Sequence, residues 1–349
     1  MEAHTTTSSS KSETNKMTRS SLYCLSASDV DPGCRERFID TGYRCENMGI
    51  VDCIKTMFVF KCNETFNIWT HLLPFILFAV KFAILFSTEL SLSDPFYWPL
   101  AANAVGIMGF CITSSCAHTF CALSPHARYV CFYMDYAIIN VYSATGWEAY
   151  YFYSRPLNSS DFFLADNTKL MALICFKIGV ISTFQCCCSR HTKSVLEHLM
   201  RVTSFVLPWL CAAFPYIYRL YICQTNTGDC DTTALPMFAY HTVFYVVGAI
   251  SLASKYPERL FPGRFDYVGH SHQVMHICVA VGAYLQFESV KIEMINKEGR
   301  LRDTIINQSY SFYCLHLTLV VFIANFCVAM LFPRVRRILF TDFKIEKKE

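Results

Sequence analysis

Eight long apolar blocks constrain this chain more than any other feature, because about 20 consecutive apolar residues cross the hydrocarbon core of a bilayer as one helix. The blocks run roughly Phe66–Phe86, Trp98–Phe120, Tyr129–Tyr151, Leu170–Cys188, Val202–Ile222, Leu235–Ser254, Val268–Val290 and Ser309–Phe332. Each has one or two polar interruptions, and the seventh is the most polar. Composition agrees: 53% of the 349 residues are hydrophobic and only 16% are charged, whereas about a quarter are charged in a soluble domain. The expected fold is all-α, a polytopic membrane helix bundle with a seven-helix core plus an eighth C-terminal transmembrane helix. A net charge of +3 gives no case for nucleic acid as a partner.

The domain reading follows from these blocks. Residues 1–34 form a polar, disordered N-terminal tail and 35–65 a cytosolic juxtamembrane segment. Residues 66–290 form the seven-span core, 291–308 an extracellular loop, 309–332 the eighth span and 333–349 a basic cytosolic tail. The polar, Ser/Thr-rich start has no short apolar stretch behind a basic one, so no cleavable signal peptide is expected.

Orientation is read from Lys and Arg in the short connections. Arg35, Arg37, Arg44, Lys55 and Lys61 precede the first span, and Arg128, Arg190, Lys193, Arg201, Lys255, Arg259 and Arg264 lie on alternate connections. Arg334, Arg336, Arg337, Lys344, Lys347 and Lys348 follow the last span. Both termini are therefore expected in the cytosol, most simply at the plasma membrane. The acceptor triplets Asn158-Ser159-Ser160 and Asn307-Gln308-Ser309 then fall outside, and Asn63-Glu64-Thr65 falls inside.

Most of the 19 cysteines lie in apolar runs, where cysteine is a small hydrophobe, as expected for Cys111, Cys116, Cys131 and Cys278. Cys223 and Cys230, in the polar stretch CQTNTGDCDTT, are placed for an exposed disulfide, and the spacing leaves that pairing open. Cys186, Cys187 and Cys188 end the fourth span, where either packing or palmitoylation would suit them.

Ionisable groups inside spans are costly and point to function. Lys81, Lys177 and Arg219 are expected to snorkel or to lie in the interior. A second set is different. Ser114 and His118 share a helical face at the end of the second span, Asp135 lies about two turns into the third, and His272 and His276 share a face at the start of the seventh. All five fall at similar depth near the cytosolic boundary. Three neutral imidazoles make a zinc site with a fourth position open to water or substrate. Asp135 and Ser114 would orient a ligand or the bound water. On spacing alone, ordinary interhelical hydrogen bonds explain the same histidines. His126, His191 and His198 are expected to be solvated, His241 and His316 to be hydrogen-bonded packing residues, and His270 to face away from the pair that follows it. In NETFNIWTH, Asn63 is expected to cap the first span and Glu64 to favour its positive end, while Asn67 and His71 hydrogen-bond structurally.

Three motifs resemble the progestin and adipoQ receptor family: NETFNIWTH; Ser114-x-x-x-His118 followed seventeen residues after the histidine by Asp135-Tyr136; and PERLFPGRFDYVGHSHQVMH from Pro257 to His276. The match covers about residues 35–290. The eighth span and Gly42–Arg44 resemble the membrane progestin receptor branch more than the adiponectin receptor branch. The family often has glycine where this chain has Ile138, and the metal ligands are intact. The resemblance implies Zn2+ on His118, His272 and His276, with Ser114 and Asp135 beside it. It also implies a receptor for a lipophilic small molecule, a progestin-type steroid, acting on a G protein or another cytosolic effector and in contact with membrane lipids. The interior is rich in aromatic residues, with 30 Phe and 20 Tyr in the chain, which are mostly packing groups. A second reading is a zinc-dependent, ceramidase-like hydrolase of lipid amides, with Asp135 as general base and Ser114 donating to the developing oxyanion. A third keeps zinc as a structural staple.

Overall fold

The computed structural model describes residues 24–156, 167–192, 195–225, 233–307 and 310–341. Among them are nine α-helices: α1 Ile50–Thr56, α2 Thr65–Ile84, α3 Trp98–Phe120, α4 Pro125–Ser154, α5 Thr168–Ser189, α6 Val195–Thr225, α7 Leu235–Ser254, α8 Ser271–Asn307 and α9 Tyr310–Thr341. The eight long helices coincide with the eight apolar blocks. Local chemistry sets their starts. Ser124 caps α4 by accepting from the Ala127 N–H at 3.0 Å, with Pro125 next to it, and Asn167 caps α5 through the Leu170 N–H at 3.0 Å.

Six of the long helices are apolar enough to cross a membrane by length and composition: α2, α3, α5, α6, α7 and α9. They carry large apolar side chains on the outside, such as Leu77 (61% exposed), Ile250 (61%) and Leu319 (57%). Such a surface suits lipid rather than water. The chain is a multi-pass membrane protein. Helices α4 and α8 are as long but more polar, because they run through the interior. Helix α4 packs against α3, α5, α6, α8 and α9, and it buries Asp135, Asn140, Thr145 and Glu148 among tyrosines 133, 142, 150, 151 and 153.

Several expectations are corrected. Residues 291–307, read as a loop, continue α8 as helix to Asn307. Their charges are not all solvated: Lys297 is fully buried and lies 3.3 Å from Glu293, which also pairs with buried Arg219 of α6. The basic tail stays helical to Thr341. Residues 24–34, assigned to a disordered tail, fold back, with Leu25 bridging Tyr43 and Val30 packed against Ile39 and Tyr43. Of the intramembrane cations, Lys81 is bound to Glu288 at 2.7 Å, Arg219 is interior and Lys177 is exposed.

Cys186, Cys187 and Cys188 are buried, as are Cys111 and Cys278, whereas Cys116 is exposed and Cys131 half-buried. Cys223 is disulfide-bonded; its candidate partner Cys230 lies outside the described residues. The triplet at Asn158, residues Gln308 and Ser309, and residues 1–23 and 342–349 also lie outside them.

Breaking a buried ion pair leaves an uncompensated charge and costs about 3–5 kcal/mol. Glu293→Gln is therefore expected to lower stability, by up to that order, since it takes away the carboxylate that Arg219 and Lys297 share. A shifted midpoint in denaturant-induced unfolding checks this; an unchanged midpoint refutes it.

Candidate metal centre and adjoining cavity

Two helices bring the predicted histidines together. His118 lies in the last turn of α3, and His272 and His276 lie in the first turns of α8. One ring nitrogen from each lies within 4.8 Å of the others, the one such group of histidine, cysteine and acidic side chains among the described residues. The Nε2 atoms of His118 and His272 are 3.1 Å apart. Tetrahedral bonds of about 2.0–2.1 Å would hold ligand nitrogens about 3.3–3.4 Å apart. The His118–His272 separation fits one small cation, and the His276 donor lies within reach of the same point.

Hydrogen bonds around the rings aim their lone pairs inward. His118 Nδ1 lies 2.8 Å from Glu64 Oε2, and a carboxylate can only accept, so in the neutral ring Nδ1 carries the proton and Nε2 is bare. His276 Nδ1 lies 3.0 Å from Thr70 Oγ1. The Thr70 hydroxyl donates to the Phe66 carbonyl at 2.7 Å, so it accepts from Nδ1 and leaves His276 Nε2 bare. A bare His118 Nε2 facing His272 Nε2 needs either a proton or a cation between them. This carboxylate–imidazole arrangement is the one by which outer groups orient metal-bound histidines.

The polypeptide secures these helix ends from the N-terminal segment. Arg44 donates to the His118 carbonyl at 2.6 Å and the Thr119 carbonyl at 2.9 Å, placing a cation at the negative C-terminal end of α3. Glu258 accepts from the Ser271 N–H at 2.7 Å and from its hydroxyl, fixing the start of α8. Asp266 accepts from the backbone N–H groups of Asp40 and Thr41 at 3.0 and 2.9 Å. Gly42 has φ +89°, and a Cβ there would meet the Tyr267 ring at 2.7 Å, so only glycine lets the segment pass.

A cavity of about 370 Å³ opens beside the histidines. Ser114 and Asp135 line it with the three histidines, and Ser114 Oγ and Asp135 Oδ1 are buried with no hydrogen-bond partner among the described residues. It continues along α4 to Tyr142 and Tyr150, about 22 Å from Asp135 at 1.5 Å per residue. Its far walls are largely apolar and include Phe205, Trp209, Val246 and Val279. Tyr142 links to Gln286 and to Tyr245 across this interior.

All five predicted residues therefore line one space. Other roles differ from expectation. The helix cap at α2 is Glu64, not Asn63, and its carboxylate serves His118 and Asn67 instead of the helix end. Among the described residues neither ring nitrogen of His71 has a hydrogen-bond partner, and the ring stacks on His276 with centroids 3.8 Å apart. His191 is not solvated but bonds to the Tyr133 hydroxyl at 2.5 Å and packs on Phe332. His241 bonds Trp209 and the Gly282 carbonyl, as expected; His316 bonds the Phe312 carbonyl but is exposed instead of packed, and His270 bonds Gln273 yet lines the same cavity; His126 is exposed and His198's side chain is outside the described residues.

A family model described as Haemolysin-III related matches residues 60–287. The chain is 34% identical over 276 residues to membrane progestin receptor delta of Mus musculus, covering 76% of this chain and 77% of that protein. It is 32% identical over 280 residues to membrane progestin receptor gamma of Homo sapiens, covering 79% and 83%. It is 31% identical over 293 residues to membrane progestin receptor gamma-B of Danio rerio, covering 78% and 82%. On these matches, which span nearly all of the helical core, the chain belongs to the haemolysin-III-related family, alongside the membrane progestin receptors.

Proposed function

We propose that this protein is a membrane receptor that takes a lipophilic small molecule, a progestin-type steroid by the names of its relatives, into the cavity beside a zinc ion held by His118, His272 and His276. The observation that carries the reading is the cavity itself. Its volume of about 370 Å³ lies in the range of about 300–1,000 Å³ that takes small-molecule ligands, and its walls are apolar with a few convergent polar groups. Zinc, when bound, supplies Lewis-acid polarisation and an acidified water. Saturable binding of tritiated progesterone to pure protein in lipid nanodiscs tests the reading. Its absence from zinc-loaded, folded protein refutes the steroid assignment.

The second reading, a zinc-dependent hydrolase of lipid amides, is favoured by one observation: Asp135 and Ser114 each present an unpaired buried oxygen in the space that the histidines line. In that reading Asp135 accepts a proton from the attacking water and Ser114 donates to the oxyanion.

Glu64→Gln tests the metal centre from outside the ligand set. The amide keeps the size of the side chain but takes the anion away from His118, and losing such a partner typically costs about 10–100-fold in metal affinity. Competition with a zinc chelator measures it; unchanged affinity counts against the assignment.

Both termini are placed in the cytosol of a plasma-membrane protein with eight spans, where the cytosolic face meets a G protein or another effector. The support is alternating basic charge together with eight long helices in the positions of the eight apolar blocks. Epitope tags at either terminus are expected to be protected in intact cells, and surface labelling of the C-terminal tag would overturn the eight-span topology.

A further inference from the structure

We propose that the mouth of the cavity is a subsite for the anionic head of an amphiphilic ligand, and that Glu36 of the folded N-terminal segment holds it as an internal stand-in. The inference rests on the reading of the cavity as a ligand site and names the ligand's charge. Arg190, Arg201 and Lys255, from the ends of α5, α6 and α7, all line the cavity whose far walls are apolar. Arg190 lies over the Phe132 ring at 4.0 Å and donates to the Tyr136 hydroxyl at 2.8 Å, which spends one of its five N–H groups. Arg201 meets Glu197 at 3.1 Å, while its buried Nε has no hydrogen-bond partner.

The nearby acids are mostly committed elsewhere. Glu64 is held by His118 and Asn67, and Glu258 by Ser271. Glu36 remains. Its Oε2 stands 3.7 Å from Lys255 Nζ, too far for a hydrogen bond, and its side chain is 56% exposed. Lys255, Arg190 and Arg201 line the same cavity as this carboxylate. A loosely held carboxylate among several guanidinium and ammonium groups is what a displaceable anion looks like. Arginine forks bind carboxylate, sulfate and phosphate groups with charge-assisted hydrogen bonds. The class is therefore an apolar body with one anionic head. It comes either as a free conjugate, such as a sulfated steroid, or as the headgroup of an anionic phospholipid from the adjoining leaflet.

The test uses the full chain in phosphatidylcholine nanodiscs, with pregnenolone sulfate against pregnenolone. A sulfate ester stays ionised and is a poor zinc ligand, so zinc coordination does not mimic the effect. The sulfate is expected to bind about tenfold tighter than the alcohol, the size of one good charge-assisted contact. In the double variant Arg190→Gln/Arg201→Gln it falls to the level of the alcohol, whose own binding persists and reports intact folding. Glu36→Gln raises sulfate affinity several-fold and leaves the alcohol unmoved; this variant suffices if the double variant does not fold. Loss of sulfate binding when phosphatidylserine is added assigns the subsite to a lipid headgroup, and unmoved binding assigns it to the free conjugate. Equal binding of sulfate and alcohol by the unmodified protein, or a preference that survives the double variant, overturns the proposal alone. No binding of either overturns the cavity reading with it.

Discussion

Replacing His118, His272 or His276 by alanine is expected to take zinc from about one ion per chain to near none, whichever of the three is chosen. Two ligands remain in each case, and two imidazoles do not hold the ion against water and buffer as three do. The three positions are also interdependent through geometry. His272 and His276 come from one helix and His118 from another, so the ion would join α3 to α8. In His276→Ala the loss leaves the His118 and His272 nitrogens 3.1 Å apart without the ion between them, and in the other two variants a buried ring is removed. A lower thermal midpoint is therefore expected alongside the lost metal. His270→Ala is the matched control: it lies two residues from His272, yet its ring is bonded to Gln273, and zinc should stay. Metal analysis of the purified variants decides the matter, and full zinc occupancy in His118→Ala would remove the basis of the assignment.

What was legible in the sequence follows from which interactions are local. Helix existence was legible, because a run of apolar residues between polar connections needs no knowledge of its neighbours. The histidine pair on α8 was legible for the same reason, since i, i+4 spacing fixes a shared face. Partners across space were not. Glu293 and Lys297 look like solvated loop charges until Arg219 of α6 is placed against them, after which the helix has reason to continue to Asn307. Glu64 looked like a helix-dipole residue because its local surroundings offer the positive end of α2, and a closer, more specific donor on α3 captured its carboxylate. His191 reads as a loop histidine, but α4 and α9 close over it with Tyr133 and Phe332. The N-terminal segment misled for a compositional reason. Its polar residues suit disorder, while a few side chains, Val30, Ile39 and Tyr43, form a small cluster, and Arg44 reaches the end of α3.

Asp135→Asn is expected to leave zinc bound and the helices packed, and what it does to activity separates the two functional readings. The change preserves shape and hydrogen-bonding capacity and removes only the carboxylate. Asp135 is not one of the three clustered nitrogen donors, so no ligand is lost. It is buried, with Oδ1 unpaired, so an uncharged amide costs little there. In a receptor whose zinc is structural, steroid binding by Asp135→Asn should fall within a few-fold of the unmodified protein, and neither protein should hydrolyse a lipid amide. In a hydrolase the base is gone, and turnover should drop by about 10²–10⁴-fold, the usual worth of a positioned general base. Ser114→Ala then serves as the second arm, because an oxyanion donor is worth about 10²–10³-fold in turnover, whereas steroid binding should change by no more than about tenfold on losing one of several polar groups that line the cavity. Assaying pure protein with a long-chain ceramide and with progesterone, with zinc content measured on the same samples, distinguishes these outcomes. Ceramide hydrolysis that disappears in Asp135→Asn while zinc remains would replace the receptor reading with the enzymatic one.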